Sequence, residues 1–208
     1  MFDHIVVGAG LSGAVMAERI ARVMGRKVLV IEKRPHIAGN IYDQFNEQGV
    51  LIHKYGPHIF HTRLKHVWDY LSQFTAWRLY HHRVLGHIDG RLVPIPFNLN
   101  TLHHLLPGEL ASRLEGKLIR TFGYPAKVPI LKLRETDDDE LNWLANFVYE
   151  KVFLHYTTKQ WGMKPEDLDP SVTGRVPISV SRDDRYFQDA YQGMPEDGYA
   201  AMVGRMLD

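Results

Sequence analysis

The sequence contains no cysteine, no long apolar run and almost no net charge. Without cysteine the chain has no disulfide, no thiol nucleophile and no thiolate ligand for a metal, which fits a reducing compartment. Lys and Arg number 25 against 24 Asp and Glu, so the composition offers no general basic field for nucleic acid. No apolar run approaches the ~20 residues that span a bilayer, and the first strand pattern begins without a preceding signal peptide. We therefore expect a cytoplasmic protein that binds neither nucleic acid nor a membrane.

Recognisable catalytic and metal-binding patterns are also scarce. No Ser-His-Asp constellation or carboxylate pair stands out. The twelve histidines are scattered, and the densest group, His53, His58 and His61, lacks the i, i+4 spacing and the carboxylate of a zinc motif. The acidic run 137–140 precedes a helical pattern, where carboxylates favour the helix dipole. We predict no metal site, and packing or hydrogen-bonding roles for the histidines.

The stretch 4–13 combines an apolar strand pattern with glycines at positions 8, 10 and 13. A helical pattern follows, and Lys27–Ile31 is a second apolar strand that leads into Glu32. In a dinucleotide-binding turn the first glycine permits the turn, the second admits a pyrophosphate and the third allows helix and strand to pack closely. The helix N-terminus favours anionic oxygens, and Glu32 is placed to accept hydrogen bonds from an adenosine ribose. The pattern predicts a dinucleotide site; the alternative is a glycine-rich turn without a ligand.

Residues 33–40 indicate which dinucleotide binds. An acidic residue followed by a basic pair and a small-Gly-Asn turn is typical of FAD-dependent flavoproteins, so we favour FAD over NAD; a plain surface loop is the alternative. A third strand near residue 50 would extend the sheet. Because a doubly wound sheet normally has about five or six strands, the chain is interpreted as a fragment.

The rest of the sequence predicts helices and one hairpin. Asp89-Gly90 between two apolar runs is a strong two-residue hairpin signal. Two amphipathic helices follow, one carrying Leu110, Leu114 and Leu118 and one beginning after the acidic run. The aromatic residues at 156 and 161 either stack on a flat heterocycle or belong to the core.

Several stretches together resemble the UDP-galactopyranose mutases of bacterial type, a flavoenzyme family. They are residues 8–13, 38–40, 53–62, 156–162, 183–187 and 193–195. The resemblance implies an isomerase that interconverts UDP-galactopyranose and UDP-galactofuranose through a covalent sugar adduct at N5 of reduced FAD, for galactofuranose-containing cell-surface glycans. It also implies a homodimer. Family members continue well beyond this length, so the chain corresponds to their N-terminal portion.

The resemblance also implies binding and catalytic roles for individual residues. The residues implied to bind the cofactor are Gly8, Gly10, Ser12, Gly13, Glu32, Lys33, Asn40, His58 and Ile59. Those implied to bind the substrate are Phe153, Tyr156, Thr157, Trp161, Arg175 and Tyr186. His58 beside the isoalloxazine and Arg175 at the diphosphate are the implied catalytic residues. Ala38 stands where many relatives have the first glycine of a Gly-Gly-Asn turn.

The expected fold class is α/β, with two lobes. Residues 1–78 form an incomplete Rossmann-like FAD lobe. Residues 79–190 form a mainly helical substrate and dimerisation lobe with a β-hairpin and a movable loop at about 164–177, and residues 191–208 return toward the FAD lobe. Two alternatives remain open: an FAD-dependent oxidoreductase of the amine-oxidase type, and a catalytically inactive fragment that binds FAD or UDP.

Overall fold

A computed structural model describes residues 1–154, 162–163 and 177–208. The chain divides into two compact units, residues 1–81 with 189–208 and residues 82–188. The sequence predicts lobe boundaries after residues 78 and 190, within three residues of the boundaries of these units. The binding roles assigned to the lobes remain predictions.

The described strands are β1 (His4–Val7), β2 (Val28–Ile31), β3 (Asp43–Phe45), β4 (Leu51–His53), β5 (Phe60–Thr62), β6 (Trp77–Leu79), β7 (Val84–Ile88), β8 (Arg91–Ile95), β9 (Ala126–Val128), β10 (Ile178–Val180) and β11 (Tyr191–Pro195). The described helices are α1 (Leu11–Met24), α2 (Lys65–Leu71), α3 (Leu99–Leu105), α4 (Gly108–Phe122), α5 (Ile130–Arg134), α6 (Asp139–Val148) and α7 (Tyr199–Leu207). A 3-10 turn covers Gly39–Ile41, and π-helical turns cover Tyr149–Leu154. No helix of these described segments is long and apolar enough to cross a membrane.

The first unit begins with the predicted strand, turn, helix and strand. β1 and β2 pair in parallel with His4 opposite Val28, and α1 connects them. This βαβ unit confirms the Rossmann-like part of the predicted fold class. The strand near residue 50 was assigned wrongly to this sheet: β4 pairs antiparallel with β3, with Asp43 opposite His53. Only residues 46–50 connect β3 to β4, which favours a local hairpin over a parallel crossover, since a crossover needs a dozen or more residues.

A second sheet in the first unit joins distant parts of the chain. β11 lies between β5 and β6 and pairs antiparallel with both. α7 then packs against α1, and its Met202, Val203 and Met206 are buried with Leu71. Residues after 188 therefore supply a central strand and a core helix to this unit.

The second unit is mainly helical, with the predicted hairpin. β7 and β8 pair with Ile88 opposite Arg91, and the two residues between them, Asp89 and Gly90, have positive φ angles of 47° and 80°. This confirms the two-residue hairpin turn. Leu114 and Leu118 are fully buried in the core, whereas Leu110 lies at its edge.

The acidic run begins α6 as predicted. The Asp138 carboxylate accepts hydrogen bonds from the backbone N–H groups of Glu140 and Leu141, at 3.0 and 3.1 Å. Lys117 of α4 lies 2.7 Å from the Asp138 carboxylate and 2.9 Å from that of Glu140. The hydrogen bond from Lys117 is the main reason that the pKa values of both carboxyls are lowered. These charges cap the helix and tie it to α4.

Candidate functional site

The glycine turn between β1 and α1 has the geometry of a phosphate-binding turn. Gly8 has a φ of +100°, and its N–H donates to the Ile31 carbonyl at 2.7 Å, which fixes the turn at the end of the two strands. Gly10 precedes the helix in extended conformation, with no side-chain cap and no acidic residue in the first helical turn. No side chain therefore caps the first N–H groups of α1, an arrangement that suits an anion. Ser12 lies exposed within this turn of helix.

Gly13 has no room for a side chain. A Cβ there would lie 1.9 Å from the Gly8 carbonyl oxygen and 3.3 Å from Val6 Cγ1. The third glycine therefore allows close packing of helix and strand. A second close approach joins this turn to the next loop, because a Cβ on Gly39 would lie 3.0 Å from Gly10 Cα. A hydrogen bond from the Ala38 N–H to the Ala9 carbonyl, at 2.8 Å, holds the two loops together.

Glu32 follows β2 and binds the glycine turn directly. The Ala9 N–H donates to Glu32 Oε2 at 2.7 Å, and the Arg34 N–H donates to Oε1 at 2.8 Å. The backbone hydrogen bond from Arg34, then that from Ala9, lowers the pKa of the Glu32 carboxyl. Each oxygen keeps a second lone pair for a hydroxyl donor. Glu32 thus both orders the turn and can accept a ribose hydroxyl. Lys33 beside it is exposed.

The Ala-Gly-Asn turn lies against the glycine turn. Ala38 is buried at 1% exposure and has a φ of +68°, in the left-handed region. A side chain in that region costs about 1–2 kcal/mol, so alanine at position 38 is strained where glycine would not be. Asn40 is exposed, and its Oδ1 accepts a hydrogen bond from the Arg34 guanidinium at 2.9 Å. Asn40 thus follows directly after Gly39, the residue that packs against the glycine turn.

His58 belongs to a loop of the same unit. Its backbone N–H donates to His53 Nδ1 at 2.9 Å, and its own Nδ1 lies 2.8 Å from the Gly56 carbonyl oxygen. His53 packs edge-on against Tyr199, with ring centroids 5.8 Å apart, and borders a cavity of about 470 Å³. Ile59 is partly buried. In the described residues no group of three or more His, Cys, Asp or Glu side chains could hold a metal.

Asp43 is a structural residue of the site region that the sequence analysis missed. It is 3% exposed, and its carboxylate accepts the Tyr199 N–H at 2.7 Å and the Ala200 N–H at 2.9 Å. Asp43 therefore caps α7, although it lies 156 residues before Tyr199 in the sequence. Gly198 leaves space for it, because a Cβ there would lie 2.7 Å from the carboxylate. No local pattern connects Asp43 with this helix, so only the folded chain reveals the contact.

The second unit contains the described part of the implied substrate site. Phe153 is 4% exposed and packs in the helical core. The Tyr186 N–H donates to the His82 carbonyl at 2.8 Å. Its neighbour Asp183 is ion-paired with Arg185 at 2.6 Å, and the hydrogen bond from Arg185 lowers the pKa of the Asp183 carboxyl. The remaining substrate residues lie outside the described residues: Tyr156, Thr157, Trp161 and Arg175.

The fold and the glycine turn define a protein with a dinucleotide-binding, Rossmann-like βαβ unit. In agreement, residues 6–74 match the NAD(P)-binding Rossmann-like domain family, and residues 151–208 match the UDP-galactopyranose mutase family. The chain is 39% identical over 210 aligned residues to the UDP-galactopyranose mutase of Mycoplasma pneumoniae, covering 100% of this chain and 52% of the relative. It is 33% identical over 205 residues to the dTDP-fucopyranose mutase of Escherichia coli, covering 98% of this chain and 53% of the relative.

The chain is therefore similar along its whole length to curated UDP-galactopyranose mutases, which confirms the resemblance seen in the sequence. It spans about half the length of these curated relatives. The crystal structure of a reduced UDP-galactopyranose mutase has the same fold, with a TM-score of 0.64 at 17% identity; the match covers 99% of this chain and 46% of that chain.

Proposed function

We propose that this chain carries the FAD site and part of the nucleotide-sugar site of an enzyme that interconverts UDP-galactopyranose and UDP-galactofuranose. The observation that carries the proposal is the 39% identity to a named UDP-galactopyranose mutase over the full chain. The product would serve cell-surface glycans, and the enzyme would act in the cytoplasm as a homodimer.

The residues of the glycine turn fit FAD. The α1 N-terminus is uncapped by any side chain, and the residue at that end, Gly10, has no side chain to block a pyrophosphate. In the proposed complex the N–H groups of this turn and Ser12 bind the pyrophosphate, and Glu32 accepts the ribose hydroxyls. Reduced FAD, when bound, supplies the nucleophile and the proton shuttle of the ring contraction.

The other implied cofactor residues have supporting roles. Lys33 adds positive charge beside Glu32, and the Asn40 amide donates to the cofactor while its oxygen binds Arg34. His58 and Ile59 lie beside the isoalloxazine, where His58 orients the reacting centre. The protein mainly binds, orients and excludes water, which explains why no nucleophile triad stands out in the sequence.

The nucleotide sugar is assigned to residues of the second unit. Tyr156 and Trp161 hold the uracil by stacking, and Arg175 binds the diphosphate through its guanidinium group. Phe153 and Thr157 border the nucleotide pocket, and Tyr186 contacts the substrate. The 33% identity to a dTDP-fucopyranose mutase supports a second candidate substrate, a dTDP-linked sugar; the higher identity to the UDP-galactopyranose mutase favours uridine.

Flavin binding is tested first. The purified chain is mixed with FAD, excess is removed, and the visible absorbance spectrum is recorded. We expect about one flavin per chain, with lower retention in Glu32→Gln and unchanged retention in Gly204→Ala, a helix glycine with ordinary packing space. A colourless chain would contradict an FAD site in these residues.

Turnover decides between mutase and oxidase. UDP-galactofuranose is offered to dithionite-reduced and to oxidised protein, and the nucleotide sugars are separated by chromatography. We expect UDP-galactopyranose from the reduced protein only. Oxygen consumption with sugar or amine substrates would instead support the amine-oxidase alternative, and conversion of dTDP-sugars without UDP-sugars would support the second substrate. Flavin or UDP binding without turnover would support the inactive fragment.

A further inference from the structure

The segment immediately before Tyr186 is fixed by amide side chains at the start of α3. Asn98 is 1% exposed and caps α3, because its Oδ1 accepts the Thr101 N–H at 3.0 Å. Its Nδ2 donates to Asp184 Oδ1 at 2.9 Å. The Nδ2 of Asn100 donates to the same oxygen, also at 2.9 Å. One carboxylate oxygen therefore receives two hydrogen bonds from one helix end.

A second connection strengthens the same attachment. The Arg182 carbonyl accepts a hydrogen bond from Asn100 Nδ2 at 3.1 Å. The Arg182 guanidinium donates to both carboxylate oxygens of Glu115 on α4, at 2.8 and 2.7 Å. Glu115 also pairs with His103 of α3. The two helices and the segment thus form one polar network with charge-assisted hydrogen bonds.

This network replaces the backbone ladder that the segment lacks. Residues 183–185 belong to no helix or strand. Beyond them the Tyr186 N–H donates to the His82 carbonyl, and the Tyr186 ring lies 5.9 Å from the His82 ring and 5.0 Å from that of Phe187. Tyr186 is therefore held by its own contacts with His82 and Phe187, while the residues just before it are held by the side-chain hydrogen bonds to Asp184.

We propose that Asp184 is a positioning residue, which holds Tyr186 where it contacts the nucleotide sugar. The inference rests on the proposed function for the role of Tyr186. Loss of the carboxylate leaves the buried Asn98 amide with only the longer hydrogen bond to the Asp183 carbonyl, at 3.3 Å, and so loosens the segment. A small displacement of a substrate-contacting group weakens its contribution strongly.

The test compares Asp184→Ala with the conservative Asp184→Asn, which keeps an oxygen for the two amides. Hydrogen exchange of the Tyr186 amide measures the positioning itself, and titration with UDP-galactose measures its consequence. For Asp184→Ala we expect faster exchange and about tenfold weaker binding, since one charged hydrogen-bond pair is lost. For Asp184→Asn we expect exchange of the Tyr186 amide and affinity for UDP-galactose close to those of the wild type. Asp139→Ala, an exposed acid at the start of α6, serves as the matched control.

The double variant Asp184→Ala with Tyr186→Phe separates positioning from general stability. If Asp184 acts through Tyr186, the two effects on UDP-galactose affinity are less than additive. Unchanged Tyr186 exchange in Asp184→Ala overturns the inference, as does additive behaviour when Tyr186→Phe alone weakens UDP-galactose binding. If the exchange changes as expected but Tyr186→Phe and wild type bind UDP-galactose equally, the positioning stands and the substrate role of Tyr186 fails.

Discussion

A methyl group at Gly13 should displace the glycine turn. In Gly13→Ala the Cβ would lie 1.9 Å from the backbone oxygen of Gly8 and 3.3 Å from Val6 Cγ1. Overpacking typically costs about 1–3 kcal/mol, and contact with backbone places this variant at the upper end. Alanine has a helix propensity about 1 kcal/mol more favourable than that of glycine, which offsets part of this cost. We expect a net loss of about 2 kcal/mol in the free energy of unfolding.

Thermal unfolding followed by circular dichroism measures this loss. For a unit of about 100 residues, 2 kcal/mol corresponds to a decrease of about 10 °C in Tm. Gly204→Ala is the matched control, because its Cβ would meet only Ile37 Cδ1 at 3.8 Å and its helix should gain stability. A Gly13→Ala protein that melts at or above the wild-type temperature and retains flavin would refute the packing explanation.

Three further substitutions test the same unit. Asp43→Ala removes both hydrogen bonds that cap α7 and should lower the free energy of unfolding by about 2 kcal/mol in urea titrations, with a smaller loss in Asp43→Asn; wild-type stability of Asp43→Ala would exclude a stabilising cap. The lowered pKa of Glu32 means that its contribution is present above its ordinary value of 4.5 and disappears as the pH falls through the folded-state pKa. Glu32→Gln should therefore flatten the acid side of the urea-midpoint curve; an unchanged acid side would contradict this. Gly39→Ala, at a φ of +55° and against Gly10, should cost about 2 kcal/mol and reduce flavin retention, whereas wild-type stability would show that the loops separate freely.

Local patterns predicted the elements that depend on neighbouring residues. Asp89-Gly90 predicts its hairpin because few residue pairs adopt two positive φ angles. Asp138 caps α6 through amides only two and three residues away. The glycine turn is likewise contained within a short stretch, so its three glycines and the following helix appear in the structure as predicted.

The strand near residue 50 shows the limit of such patterns. Its apolar run predicts a strand, but the choice between pairing with β1 or with β3 depends on partners rather than on the run itself. The central place of β11 between β5 and β6 is of the same kind. Strand partners are decided by the packing of the whole unit.

The sequence by itself determined the βαβ unit, the hairpin, the amphipathic helices and the family resemblance, because spacing and turn chemistry encode them within a few residues. Only the tertiary structure decided that Glu32 binds the Ala9 amide, that Asp43 caps α7 and that Asn98 holds Asp184. Each of these contacts satisfies a polar group whose partner lies 23 to 156 residues away. Such partners are selected by burial of the whole chain, since an unpaired buried polar group is costly wherever it lies in sequence.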